Sequence, residues 1–154
     1  MQIETLAVGI LFMTVFESQA SAQERALKRS ELPAAVQRAA DEQSRGATVH
    51  GYATEKEDGR RVYEVEMTLH GRGRDVTLDS AGTVLEIEAE VAFDSLPEAV
   101  RVGLRHAAGS GQITKVESLT KRGALVAYEA HVHSGTKRSE VQVGPEGKPL
   151  AHPE

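Results

Sequence analysis

The sequence predicts an α+β fold of two tandem α-β-β-β-β units, each a helix packed on one face of an antiparallel sheet. Three observations predict it. The chain repeats itself: Leu32-Pro33-Ala34-Ala35-Val36 returns as Leu96-Pro97-Glu98-Ala99-Val100 at an offset of 64. Tyr63-Glu64, Val76, Gly82 and Leu85 return as Tyr128-Glu129, Val141, Gly147 and Leu150 at an offset of 65. Each Leu-Pro opens a stretch with apolar residues at helical spacing, and each such stretch is followed by segments that alternate apolar and polar residues.

The chain has 154 residues, which suits one domain or two very small ones. Its first 22 residues read as a signal peptide. Leu6–Phe16 is an apolar run and Ala20-x-Ala22 fits a cleavage site before Gln23. The run is too short for a stable membrane span, which takes about 20 apolar residues. Met1–Thr5 lacks the usual basic residue and carries Glu4; a buried N-terminal helix is the alternative. Residues 23–29 read as a linker, 30–92 as the first repeat, 93–150 as the second and 151–154 as a tail.

In the first repeat, Leu32, Ala35, Val36, Ala39 and Ala40 form one helical face, with Ser30 available as a cap and Pro33 in the first turn. Leu96, Ala99, Val100, Leu104 and Ala107 repeat that face, with Ser95 as the cap. Gly46 and Gly109 stop the two helices. Strands follow at Thr48–Glu55, Val62–His70, Asp75–Asp79 and Thr83–Val91. In them Tyr63, Val65, Met67, Val76, Leu78, Leu85 and Ile87 point inward. The second repeat gives Ile113–Thr120, Leu125–His133, Ser139–Val143 and a weak piece near Leu150. Units of this size bury too little to stand alone, so the two are expected to join, edge to edge or helix to helix.

The paired Leu-Pro-x-Ala-Val helix starts, the Tyr-Glu of the second strand and the Asp/Glu-Val strand before a Gly turn resemble secreted bacterial PepSY-like proteins. Those proteins are in turn similar to the β-lactamase inhibitor protein, a tandem helix-on-sheet repeat. The resemblance spans nearly all of residues 30–150 and rests on structural motifs. It implies binding or restraint of extracellular peptidases, or sensing at the envelope.

Composition removes several chemistries. With 18 Lys+Arg against 23 Asp+Glu the formal net charge is −5, which disfavours nucleic-acid binding. There is no cysteine, hence no disulfide, thiolate metal site or thiol nucleophile, and no asparagine. No Gly-x-Ser-x-Gly, His-Glu-x-x-His or Walker motif occurs. Gly71-Arg72-Gly73-Arg74 reads as a hairpin turn, since no helix start follows it. The chain is therefore expected to be no enzyme and to need no cofactor.

The polar face carries the candidate site. Alternation turns Glu64, Glu66, Asp75, Asp79, Glu86, Glu88 and Glu90 outward in the first repeat with no Lys or Arg among them. Like charges on adjacent strands repel, and a basic protein or peptide would relieve them. In the second repeat the outward set is Glu129, His131, His133, Arg138, Glu140 and Gln142. His131-x-His133, with Glu129 or Glu140 as a third donor, offers a metal or pH-sensing alternative. The expected partner-binding residues are thus Glu64, Glu66, Asp75, Glu86, Glu88, Glu90, Glu129, His131, His133 and Glu140. The expected metal candidates are His131, His133 and Glu129. The expected protein is a periplasmic or secreted binding module, monomeric or weakly dimeric, for a basic protein or peptide.

Overall fold

A computed structural model describes residues 22–57 and 59–154. The expected signal peptide falls almost wholly outside them. The described chain runs β1 (Ala22–Leu27), α1 (Ala34–Gln43), β2 (Thr48–Glu57), β3 (Arg60–Leu69), β4 (Arg72–Asp79) and β5 (Val84–Glu90). It continues with α2 (Glu98–Ala108), β6 (Gln112–Lys121), β7 (Ala124–Ser134) and β8 (Lys137–Val143). All eight strands form one antiparallel sheet in the order β1 to β8.

This corrects the expected fold class. There are not two helix-packed four-stranded units, but one mostly β structure with two helices among the described residues. The physical reason is an edge. Two separate sheets would each leave a flank of unpaired N–H and C=O groups at the junction. Instead β5 and β6 pair from Glu86↔Lys121 to Glu90↔Glu117. Val91 N–H to Val116 O (2.9 Å) and Arg122 N–H to Leu85 O (2.9 Å) extend the ladder at both ends. Local alternation specifies strands but does not say which edge meets which.

Both helices lie on the same face of the sheet. Val36 and Ala40, with Leu32 ahead of them, pack on Tyr63, Val65, Met67, Val76 and Leu78. Val100 and Leu104, with Leu96, pack on Val116, Ala130, Val132 and Val143. Ser30 and Ser95 do not cap these helices. Each lies in a 3-10 turn, Arg29–Glu31 and Phe93–Ser95, and the N-cap positions belong to Pro33 and Pro97, with no side-chain cap bond. The turn drives the leucine that follows it into the core, at 3% exposure for Leu32 and 6% for Leu96.

Two glycines set the helix heights. Gly82 (φ +82°) follows β4 and sits under α1, where an added Cβ would lie 2.6 Å from the Ala35 carbonyl oxygen. Gly147 (φ +76°) follows β8 and sits under α2, where a Cβ would lie 2.1 Å from the Ala99 carbonyl oxygen. The turns match bond for bond. Gly82 N–H donates to Asp79 O and Asp79 N–H to Thr83 O, as Gly147 N–H does to Gly144 O and Gly144 N–H to Lys148 O. Left-handed φ and close backbone approach both require glycine here.

Three further expectations are corrected. Residues 22–27, read mainly as linker, form β1, which pairs with β2. The weak strand near Leu150 is a single bridge, Val143↔Pro149. Asp79 is no free surface acid, because its carboxylate accepts from the N–H groups of Ala81 (2.9 Å) and Thr83 (2.8 Å) and shapes the turn before Gly82.

Candidate functional site

With both helices on one face, the other face of the sheet carries none among the described residues. Register defines its rows. Glu66 of β3 faces Asp75 of β4, Asp75 faces Glu88 of β5, and Glu88 faces Leu119 of β6. One row over, Glu64, Thr77, Glu86 and Lys121 line up. On the far side Glu90, Glu117, Glu129 and Gln142 follow one another, and then Lys115, His131 and Glu140. The ten expected residues therefore share one continuous face.

They are not equally available. Glu66 and Glu140 are exposed, whereas Glu64, Asp75, Glu86, Glu88, Glu90, Glu129, His131 and His133 are half-buried. Strands packed side by side shield the middle of the face. Burial pushes the Glu64 carboxyl up to about 7, helped by the nearby charges of Asp75, Glu24, Glu66 and Glu55. Burial also pushes Glu88 up to about 8, with a hydrogen bond to Glu86 and the charges of Glu86, Glu117 and Glu129 adding to it. Asp75 is raised by burial and by Glu117 and Glu66, and partly restored by Lys115.

Cations divide this face. Among the described residues, no lysine or arginine lies within ion-pairing distance of Glu64, Glu66, Asp75 or Glu88. Towards β6 the balance changes. Lys121 approaches Glu86 (3.4 Å) and Lys115 approaches Glu117 (2.9 Å). Arg60 shares the alternation of Glu64 and Glu66 but lies at the far end of β3 opposite Glu57, and the β5–β6 seam brings these two lysines alongside the acids.

Glu117 is the residue that sequence reading missed. It is 2% exposed, the one buried acid among the described residues. Its Oε2 takes both the Lys115 ammonium and the His131 Nε2 (2.7 Å). Its alternation with Val116 and Ser118 was the available signal, but alternation reports the face and not the depth. Glu129 stands opposite Glu117, and its Oε2 accepts from Gln142 Nε2 at 2.7 Å. Burial raises Glu129, and that hydrogen bond opposes the rise. His133 pairs in register with Gln112 and Arg138 and does not join His131 in a common cluster. Glu90 turns aside to accept from the Gly73 N–H (3.0 Å). The tail reaches the same face, where Glu154 N–H donates to Gln142 Oε1 (2.8 Å) and its carboxylate lies 3.8 Å from Lys121.

No known family's sequence profile matches the chain, and no curated protein does. Solved structures do. A BLIP-like protein from Bacteroides fragilis is similar at TM-score 0.56 and 21% identity, over 75% of this chain and 81% of that one. A protein described as periplasmic from Bacteroides eggerthii is similar at TM-score 0.63 and 16% identity, over 77% and 86%. A DUF2874 family protein from Bacteroides ovatus is similar at TM-score 0.60 and 17% identity, over 77% and 84%. At these identities the likeness is one of architecture, and the architecture of this chain is BLIP-like.

Proposed function

We propose that this chain is an exported, non-catalytic binding protein that presents the helix-free face of its sheet to a basic protein or peptide. One observation carries the reading: Glu64, Glu66, Asp75 and Glu88 stand together without an ion-paired cation among the described residues. A row of lysines or arginines laid across β3–β5 supplies the opposite charge and, in doing so, favours release of the protons that burial holds on Glu64 and Glu88. Complementarity of this kind sets on-rate and specificity more than affinity. The BLIP-like architecture supports a partner that is a protein, and the periplasmic description of one neighbour supports export. Within this proposal the first 22 residues are the export signal. The matched Gly82 and Gly147 turns support descent from a doubled PepSY-like ancestor.

The test is titration of a labelled oligolysine peptide into the folded chain. Binding is expected to weaken at least about tenfold between low salt and about 0.5 M salt, because exposed charges are screened over a few ångströms there. Glu88→Lys is expected to weaken it comparably, and Glu98→Lys, on the exposed side of α2, far less. Equal losses in the two variants would show that net charge alone attracts the peptide, and the face would lose its role. N-terminal sequencing of the envelope-fraction protein, beginning at Gln23, tests export.

A further inference from the structure

We propose that Glu117, Glu129 and His131 form a site for a zinc-class divalent cation on the helix-free face. The inference goes beyond the basic-partner reading and does not rest on it.

Each of the three residues offers one donor atom, and those atoms lie within 4.8 Å of one another. β6 and β7 hold them there. Glu117 and Glu129 are direct cross-strand partners, and His131 is two residues beyond Glu129 on the same side of the strand. His131 Nε2 is 2.7 Å from Glu117 Oε2 and 3.8 Å from Glu129 Oε1. Zinc bonds of about 2.0–2.2 Å place neighbouring donors roughly 3.3–3.6 Å apart, so closure asks for side-chain shifts of about an ångström or less. Glu117 is already stripped of water, so its negative charge needs a cation beside it, a place that Lys115 takes here.

The imidazole has an outer partner as well. Its Nδ1 lies 3.6 Å from Glu140 Oε1 on β8. A metal-bound histidine commonly turns its other nitrogen to a carboxylate, which fixes the tautomer and strengthens the donor. On binding, Nε2 gives its lone pair to the metal and the ring proton resides on Nδ1, facing Glu140. Three protein donors leave a fourth position for water. One nitrogen with two carboxylates suits zinc, whereas calcium takes six to eight oxygens. The groups Glu24–Glu64–Glu66 and Asp75–Glu88–Glu117 also converge, but they hold carboxylates alone.

Lys115 makes the proposal specific. Its ammonium occupies Glu117 Oε2 at 2.9 Å while remaining 39% exposed, so it is free to swing into solvent. A metal must displace it. Removing the lysine is therefore expected to tighten metal binding at this site.

The experiment is calorimetry with zinc chloride alone on the folded full chain, with calcium chloride as comparison. The expected result is one equivalent of zinc and no calcium heat. His131→Ala and Glu129→Gln should each weaken zinc at least about tenfold. Glu117→Gln should do the same, with thermal unfolding to confirm that it folds. Lys115→Met should strengthen zinc severalfold, and His133→Ala should leave it unchanged. Absence of zinc heat at about 100 μM, or loss through His133→Ala equal to that of His131→Ala, overturns the site. Neither outcome touches the oligolysine titration, so failure of one reading is distinguishable from failure of the other.

Discussion

The two halves of the molecule agree under their helices and disagree on the opposite face. Beneath α1 and α2 the pattern is shared: a leucine driven in by a 3-10 turn, a fully buried valine (Val36, Val100) and a glycine turn against a helix carbonyl. On the helix-free face, Glu64, Glu66, Asp75 and Glu88 of β3–β5 have no ion-paired cation among the described residues, whereas β6–β8 bring Lys115, Lys121, His131 and Gln142 among their acids. Helix-side packing admits few solutions at native density. The other side is packed closely only in places, as at Glu117 and Leu119, and that is where the halves diverge.

Breaking the shared side should have the largest effect. Gly147→Ala forces a Cβ to 2.1 Å from the Ala99 carbonyl at a left-handed φ, and the expected loss is about 4 kcal/mol. Gly82→Ala meets its nearest atom at 2.6 Å and should cost less. Urea denaturation of both variants ranks them, and a reversed order would undo the equivalence drawn between the turns. Next comes Leu104, fully buried on α2, where the 64-residue offset puts Ala40 on α1. Leu104→Ala should cost about 3 kcal/mol. A loss below about 1 kcal/mol would show that the second core collapses around the gap and is less rigid than the first.

The smallest expected effect sharpens the contrast on the helix-free side. The folded carboxyl of Glu64 is raised to about 7, above its ordinary 4.5. The folded state therefore holds its proton more tightly than the unfolded chain. Its favourable contribution is present below pH 4.5, falls as pH rises towards 7, and is absent above that. Glu55, Glu66, Asp75 and Glu24, the groups that face it from β2, β3, β4 and β1, are all acids. Glu64→Gln should then stabilise the protein at pH 8 by about 1 kcal/mol, a figure reduced for the half of the side chain that solvent reaches. It should do nothing at pH 4. Thermal melts at the two pH values check it, and equal shifts at both would remove the electrostatic account.

Much of this was readable from residues. Alternation placed Tyr63, Val65 and Met67 on one side and Glu64 and Glu66 on the other, because side-chain direction in a strand has period two. The 3.6-residue spacing placed Leu32, Val36, Ala40, Val100 and Leu104 inward, but Ala99 and Ala107 of the expected second face are exposed and Ala108 packs on that core instead. Three things were not. Ala22–Leu27 has a helix-former composition, AQERAL, and is a strand only because the free edge of β2 pairs with it. The β5–β6 junction depends on long-range edge pairing, which leaves no local mark. Glu117 looks like any outward acid in sequence. Its burial, and its meeting with Lys115 and His131, exist only once β6 and β7 lie side by side.

The seam between β5 and β6 has one more consequence. The halves are stitched by a ladder of main-chain hydrogen bonds and not by a swivelling linker, so no hinge separates Glu64 from Glu129. A guest that touches both finds their spacing set in advance. None of its grip is then spent on freezing one half against the other.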